Sequence, residues 1–187
     1  DWKNIIYSWH IVCPSLVVAY LLGSIPFGLL ITNVFGKQDI RKIGSGNIGA
    51  TNVLRTGRRG LAALTLICDS GKAIIVVWLS KEYLGPDITF FTSIFVVIGH
   101  IFPIWLKFHG GKGVACFFGV LFCLSLLSGL ISIIIWIMVA LIFRFSSLAA
   151  LVSVFTSPII GYFIGSPKIG SIMLILALLV WIRHIKN

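Results

Sequence analysis

Long apolar runs constrain this chain more than any other feature of its sequence. Five runs near the length of a membrane span lie at 11–35, 61–80, 88–106, 148–164 and 169–182, and a longer run covers 114–143. A run of about twenty apolar residues can cross a bilayer as a helix. With 58% apolar and 11% charged residues, a chain of 187 residues cannot bury all its apolar side chains in a soluble core. The sequence therefore predicts an all-α integral membrane protein with a single domain, residues 1–187.

The run at 114–143 is too long for one comfortable span. The segment SLLSG at 125–129 divides it, which predicts two short helices and seven transmembrane helices in total. One long tilted helix over 114–143, giving six spans, is the main alternative.

Charge placement favours seven spans. The segments between the spans then alternate between the two sides of the membrane, and most of the cationic residues fall on one side. Eleven of the fifteen lie on one side, three on the other, and Lys72 lies within a span. By the positive-inside rule, the N-terminus is outside, the C-terminus is cytoplasmic, and any active site faces the cytoplasm. The larger group is Lys37, Arg41, Lys42, Arg55, Arg58, Arg59, Lys107, Lys112, Arg144, Arg183 and Lys186; the smaller group is Lys3, Lys81 and Lys168.

The segment KFHGGKG, residues 107–113, precedes a predicted transmembrane helix. Glycine amides at Gly110, Gly111 and Gly113, the Lys112 ammonium and a helix N-terminus together predict a phosphate cradle. A membrane-edge turn with a snorkelling lysine is the alternative. His109 adjoins the cradle, where a minor electrostatic role is open to it.

The segment GSGNIG, residues 44–49, matches a dinucleotide fingerprint but lacks the strand and βαβ unit that such a site needs. It is better interpreted as a phosphate loop that enters a short helix capped by Asn47. Helical spacing then places Asn47, Thr51 and Arg55 on one face, and Ser45 adds a hydroxyl. A basic loop that touches anionic lipid headgroups remains the alternative. The glycines Gly44 and Gly46 and the amide of Asn52 complete the expected binding surface.

Other polar residues of the apolar segments are expected to be structural. Asp69 and Lys72, three residues apart within a span, predict a mutual ion pair. His10 and His100 lack an evident partner and are assigned no role. The cysteines, with no C-x-x-C pair, predict neither a disulfide framework nor a metal site.

Five motifs together resemble the bacterial glycerol-3-phosphate acyltransferases that use acyl phosphate, the PlsY family. The long middle motif is the most specific, and the resemblance covers essentially the whole chain. The motifs are GSIPFG (23–28), DIRKIGSGNIGATNVLRTG (39–57), GHIFPIWLKFHGGKGVA (99–115), RFSSLA (144–149) and RH-x-x-N (183–187).

The resemblance implies a seven-helix bundle that moves a fatty acyl group from acyl phosphate to glycerol 3-phosphate, with no metal or other cofactor. It also implies substrate-assisted catalysis, in which a donor phosphate oxygen takes the glycerol proton. Ser45 matches a donor-phosphate contact, and Ser147 is preferred over Ser146 as the site serine. The family also continues past Asn187 with a basic tail. The other matching site residues are Arg55, Lys112, His184 and Asn187.

Two other functions remain open from the sequence: an organic-phosphate transporter or channel, and an inactive lipid-binding scaffold. No internal repeat of the transporter kind is evident, and the polar residues stop at the cytoplasmic ends of the spans. We therefore expect acyl phosphate, glycerol 3-phosphate and membrane lipid as partners, no nucleic acid, and a monomer.

Overall fold

The computed structural model describes residues 9–185, and within them all regular secondary structure is helical. Two 3₁₀ turns, Ile40–Lys42 and Ile104–Leu106, and a π-helical turn, Gly161–Gly165, accompany the α-helices. The α-helices are α1 (Trp9–Gly23), α2 (Phe27–Val34), α3 (Ala50–Leu54), α4 (Arg59–Tyr83), α5 (Pro86–Ile101), α6 (Val114–Leu124), α7 (Leu126–Phe143), α8 (Ser146–Ile160) and α9 (Pro167–His184).

Six segments are long and apolar enough to cross a membrane. One of them combines α1 and α2, and four others contain α4, α5, α8 and α9. The remaining one is α7, whereas α6 is also apolar but has 11 residues. At 1.5 Å per residue, α6 is about 16 Å long, roughly half of a hydrocarbon core about 30 Å thick. The membrane-protein class is confirmed, but α6, which the prediction of seven spans counts as a transmembrane helix, is shorter than a normal span.

The division of the run at 114–143 occurs at Ser125, whose extended backbone ends α6 and whose hydroxyl accepts the amide hydrogen of Ser128. Gly129 packs closely against the Phe122 ring across the break, so α6 and α7 are separate helices. One continuous tilted helix is therefore wrong. The two predicted halves are unequal because the break lies at the first residue of the SLLSG segment.

The first span is interrupted by a break at Ser24–Pro26 that the apolar run did not predict. Pro26 lacks an amide hydrogen and disfavours helical geometry at Ile25, so α1 ends at Gly23 and α2 begins at Phe27. The break frees the Ile25 carbonyl, which accepts a hydrogen bond of 2.7 Å from the Lys72 ammonium of α4.

Close backbone contact joins α1 to α5. A side chain at Gly23 would meet the Val96 carbonyl, and one at Gly99 would meet the Tyr20 carbonyl. Small residues permit this approach between membrane helices, where association depends on packing. Tyr20 also donates a hydrogen bond of 2.8 Å to the Phe102 carbonyl at the end of α5.

The interior of the bundle is tightly packed, and its exterior is apolar. Phe117, Leu121, Met173 and Leu176 are fully buried. Many large apolar side chains, such as Leu141 at 73% exposure, point outward. An outer surface of this kind fits contact with lipid chains rather than water.

Two loops lie at one end of the bundle. We name residues 39–49 the GSGNIG loop, which follows α2, and residues 107–113 the GGKG loop, which follows α5. The C-terminal end of α9 reaches the same end, since Arg183 Nη2 donates a hydrogen bond of 3.1 Å to the Gly110 carbonyl.

Candidate active site

Asn52 holds the GSGNIG loop in shape from the first turn of α3. Its amide nitrogen donates to the carbonyls of Ile40, Ile43 and Asn47 at 2.8–3.2 Å. Its oxygen accepts the Ser45 amide hydrogen at 3.1 Å. The side chain is 2% exposed, so it cannot contact a ligand in this arrangement. Asn52, expected at the binding surface, instead has its polar atoms occupied by the loop backbone.

Replacing Asn52 with alanine is expected to destabilise the protein by about 1–3 kcal/mol, because several buried loop carbonyls lose their donor. We also expect a fall in catalytic rate, since the Ser45 loop would lose its support. Thermal unfolding in detergent and turnover of the folded fraction measure the two effects. Asn33→Ala, at an exposed position of α2, is the matched control and should change neither quantity.

The short helix expected after the loop is present, but Asn47 does not cap it. Gly49 is the N-cap of α3, and Asn47 Oδ1 accepts the Gly49 amide hydrogen at 3.0 Å. The helix has five residues, so Asn47 lies outside the helical face proposed for it, whereas Thr51 and Arg55 keep helical spacing.

Arg55 lies against the turn of the GSGNIG loop. A β-carbon built on Gly44 would be 3.2 Å from Arg55 Cδ and 3.5 Å from its Nη1. Gly44 and Gly46 both have positive φ, at 54° and 70°, which a side chain would strain. Glycine at these positions lets the loop turn sharply beneath the guanidinium. Ser45, between them, is exposed.

The GGKG loop is built differently from the predicted cradle. The amides of Gly110 and Gly111 donate back to the carbonyls of Ile101 and His100, each at 3.1 Å. Those two amides are therefore not available to a phosphate, and the cradle prediction is wrong for them. Gly113, with φ of 85°, is the N-cap of α6, so Lys112 does precede a helix N-terminus as expected.

Lys112 lies where cationic groups converge. Partial burial lowers the pKa of the Lys112 ammonium, and the nearby charges of Arg55 and Arg183 lower it further. Three cations from separate parts of the sequence thus share one electrostatic environment. Such a cluster is stabilised when an anion binds it, so it indicates a site for a phosphate or another anion.

The lowered pKa predicts the pH dependence of any reaction that needs the Lys112 charge. The ammonium is present below its pKa and is lost as the pH rises through it, earlier than for an ordinary lysine. We expect kcat/KM to decline on the alkaline side, and Lys112→Arg to move the decline to higher pH because guanidinium stays charged. An unchanged alkaline limb in this variant would show that another group causes the decline. Lys107→Arg is the control.

The C-terminal end of α9 contributes Arg183 and His184. The Arg183 guanidinium lies 5.6 Å from the centre of the Phe102 ring, and its buried Nε has no hydrogen-bond partner within residues 9–185. His184 Nδ1 lies 2.8 Å from the Val180 carbonyl, which can only accept a hydrogen bond. Nδ1 therefore carries the proton, which leaves Nε2 as the second polar atom of the ring.

A polar cavity of about 370 Å³ opens between the two loops and this helix end. Of the residues expected at the site, it brings together Ser45, Gly46, Asn47 and Gly110. The sequence interpretation missed Arg41 and Arg183 as site residues, although both lie in the quoted motifs, next to the residues that were chosen. The residues that line the cavity are Arg41, Ser45, Gly46, Asn47, Ile48, His109, Gly110 and Arg183.

Arg41 is held at the cavity by Asp39. The guanidinium donates to both carboxylate oxygens at 2.8 and 2.9 Å, and the Arg41 amide donates to Asp39 Oδ1 at 3.0 Å. The neighbouring guanidinium lowers the pKa of the Asp39 carboxyl to about 2. This carboxylate is therefore a weak base that orients Arg41.

Of the fourteen residues expected at the site, nine lie within the described part of the chain but do not line the cavity: Gly44, Thr51, Asn52, Arg55, Gly111, Lys112, Gly113, Ser147 and His184. Ser147 lies in the first turn of α8 and is not among the residues that line it. In the antiparallel pair of α8 and α9, the Phe155 and Trp181 rings are 6.0 Å apart. Ser147 precedes Phe155 by eight residues, which is about 12 Å along α8. Because the two helices are antiparallel, Ser147 lies beyond the last residue of α9 when the distance is measured from the Phe155–Trp181 contact. Asn187 lies outside the described residues.

The ion pair expected between Asp69 and Lys72 is confirmed at 2.9 Å. His100, to which no role was assigned, joins it: its Nδ1 is 3.0 Å from the Lys72 ammonium and 3.5 Å from Asp69 Oδ1. Its partner residues lie 28 and 31 positions away along the chain, so sequence spacing offered no signal for this contact.

Known proteins resemble this chain over nearly its whole length. A family model described as glycerol-3-phosphate acyltransferase matches residues 13–187. A glycerol-3-phosphate acyltransferase of Mesorhizobium japonicum is 48% identical over 92% of this chain and 88% of the relative. One from Rhodopseudomonas palustris is 46% identical over the same shares of each chain.

Solved structures agree with the sequence relatives. A crystal structure of PlsY, an integral membrane glycerol 3-phosphate acyltransferase in its glycerol 3-phosphate form, matches with a TM-score of 0.89 at 32% identity. The match covers 94% of this chain and 89% of that one. The lysophosphatidic acid form matches with a TM-score of 0.87. The resemblance seen in the five motifs is confirmed, and this chain belongs to the glycerol-3-phosphate acyltransferase family.

Proposed function

We propose that this protein transfers a fatty acyl group from acyl phosphate to glycerol 3-phosphate, giving lysophosphatidate and inorganic phosphate. The observation that carries the proposal is a polar cavity at one end of an apolar bundle, which is lined by Arg41, Ser45 and Arg183 and lies close to Arg55 and Lys112. Both substrates carry phosphate, and one is also a lipid. A cationic site at the edge of the membrane suits this pair of substrates.

The reaction joins two anions that repel each other, so holding them together is the main task of the site. The glycerol hydroxyl oxygen attacks the acyl carbonyl carbon, and the bond from that carbon to the phosphate oxygen breaks. Cations that neutralise both phosphates lower the electrostatic free energy needed to bring the two substrates together, and they hold the reacting atoms in place. We assign Ser45 and Arg41 to one phosphate and Arg55, Lys112 and Arg183 to the shared anionic centre.

The hydroxyl proton is best taken by the donor phosphate, which leaves as inorganic phosphate. Asp39 is a poor candidate for a protein base, since its pairing with Arg41 lowers its pKa to about 2. His184 Nε2, the ring nitrogen without the proton, can accept a hydrogen bond from a substrate hydroxyl. Ser147, in the first turn of α8, is proposed as a further substrate contact, and Asn187, which lies outside the described residues, keeps the substrate-binding role that the family resemblance implies.

The proposed topology has seven crossings, with α6 and α7 as an unequal antiparallel pair and the site facing the cytoplasm of a bacterium. This arrangement retains the eleven-to-three separation of cationic residues. A single domain that acts as a monomer in the inner membrane is sufficient for this chemistry. Labelling of a cysteine placed at Lys42 from each side of sealed vesicles tests the orientation.

Turnover measures the proposed function directly. The purified protein in lipid is incubated with palmitoyl phosphate and glycerol 3-phosphate, and both phosphate release and lysophosphatidate formation are followed. We expect equal amounts of the two products, and none without glycerol 3-phosphate. Absence of lysophosphatidate from a folded protein would refute the proposal.

Transport is disfavoured because the interior charges of Asp69 and Lys72 are buried against each other and His100.

A further inference from the structure

Three titratable side chains are buried in contact in the interior of the bundle, and none of them lines the cavity. Asp69 is 2% exposed, His100 is 4% and Lys72 is 6%. Burying charge in a membrane protein is costly, and one Asp–Lys pair already cancels both charges. Neutrality alone therefore does not explain the presence of His100.

One end of this group is attached to the break in the first span. The Lys72 ammonium donates to the Ile25 carbonyl at 2.7 Å and lies 5.6 Å from the centre of the Phe27 ring. The next residue, Gly28, touches the Ile48 carbonyl of the GSGNIG loop so closely that a side chain there would collide with it. The backbone segment from Ile25 to Gly28 thus connects Lys72 to the GSGNIG loop, which carries Ser45.

The other end is attached to the GGKG loop. The His100 ring packs directly on Gly111, leaving no room for a β-carbon beside Nε2. The His100 carbonyl also accepts the Gly111 amide hydrogen at 3.1 Å. Gly111 immediately precedes Lys112, so the orientation of this ring determines where the Lys112 backbone lies.

Hydrogen-bond chemistry fixes the orientation of the ring. An ammonium can only donate, so the 3.0 Å contact makes His100 Nδ1 the acceptor from Lys72. The Asp69 carboxylate forms an ion pair with the same ammonium at 2.9 Å. A chain of contacts therefore runs from Asp69 through Lys72 to His100 and ends at the two loops.

We infer that Asp69, Lys72 and His100 form a positioning triad that sets the separation between the GSGNIG loop, which carries Ser45, and the GGKG loop, which carries Lys112. The inference rests on the proposed function, in which two anionic substrates are held between these loops. The triad touches no substrate itself. A displacement of about 1 Å between catalytic groups can lower a rate on the order of 10²-fold, which is the scale of effect expected here.

The first test replaces His100, because this change leaves the Asp–Lys pair neutral. His100→Leu removes the acceptor for Lys72, whereas His100→Asn keeps an oxygen acceptor at a similar distance from the backbone. We expect kcat of the folded fraction to fall at least tenfold in the leucine variant and to recover in part in the asparagine variant. Equal kcat in both variants at matched thermal stability would overturn the inference.

The second test keeps the inference falsifiable if a single variant misfolds. Asp69→Asn combined with Lys72→Met removes both charges, which is often tolerated where loss of one partner is not. We expect near-native thermal stability, with kcat lowered on the order of 10²-fold. Wild-type kcat in the double variant would refute positioning by the pair.

A buried polar contact elsewhere provides the control. Ser157 donates to Ser132 at 3.0 Å between α8 and α7, remote from the two loops. Ser157→Ala should alter thermal stability without lowering kcat of the folded fraction. An inactive wild-type protein would refute the proposed function, whereas an active wild type with fully active triad variants would refute this inference alone.

Discussion

Replacing Lys112 with alanine is expected to lower kcat by about 10²- to 10³-fold, the range seen when one charge-stabilising donor is removed from a reaction centre. Lys112 precedes α6 and shares its surroundings with Arg55 and Arg183. Under the proposed function, its ammonium neutralises negative charge on the substrate phosphates. Initial rates at saturating palmitoyl phosphate and glycerol 3-phosphate measure the effect.

Lys107→Ala is the matched control for this prediction. Lys107 belongs to the same GGKG loop, carries the same charge and is exposed. If general attraction of anionic substrates mattered most, both variants would lose activity to a similar degree, and more at low salt. We expect the Lys107 variant to remain close to wild type. A Lys112→Ala variant with normal kcat would remove Lys112 from the reaction centre.

The sequence predicted the class of fold because apolar length and charge placement are properties of the chain alone. It also predicted the Asp69–Lys72 pair, which local helical spacing determines. The break at Ser24–Pro26 was not predicted because the span was assigned from hydropathy alone, although Pro26 disfavours helical geometry at Ile25. It could not predict the contact with His100, which depends on how α4 and α5 pack together.

Only part of the candidate site was predicted, because the rest also depends on how separate segments of the chain pack together. Four of the residues expected at the site, Ser45, Gly46, Asn47 and Gly110, line the cavity, and their roles toward phosphate remain predictions. The roles of individual glycines and amides depended on backbone hydrogen bonds that composition does not reveal. Gly110 and Gly111 donate to α5, and Asn52 is occupied by the GSGNIG loop. Glycines that permit close packing look the same in a sequence as glycines that bind anions.

Replacing Arg55 with alanine is the second change expected to have a large effect. Loss of a charge-assisted hydrogen bond to an anion costs about 1.5–3 kcal/mol, which corresponds to a decrease in kcat/KM of roughly 10- to 150-fold. Arg55 lies against the Gly44 turn, next to Ser45, so we expect the loss to include a higher KM for glycerol 3-phosphate. Arg55→Lys should recover only part of it, because an ammonium lacks the planar fork that matches phosphate.

Arg55 and Lys112 are also coupled, which gives this prediction a second, independent readout. The charge of Arg55 contributes to the lowered pKa of Lys112, so its removal should raise that pKa. The residual activity of Arg55→Ala should therefore persist to higher pH than that of the wild type, even though its absolute rate is lower. Arg59→Ala, exposed at the start of α4, should show neither change. A fall in rate without the shift in pH profile would mean that Arg55 acts on the substrate without sharing the Lys112 anion site.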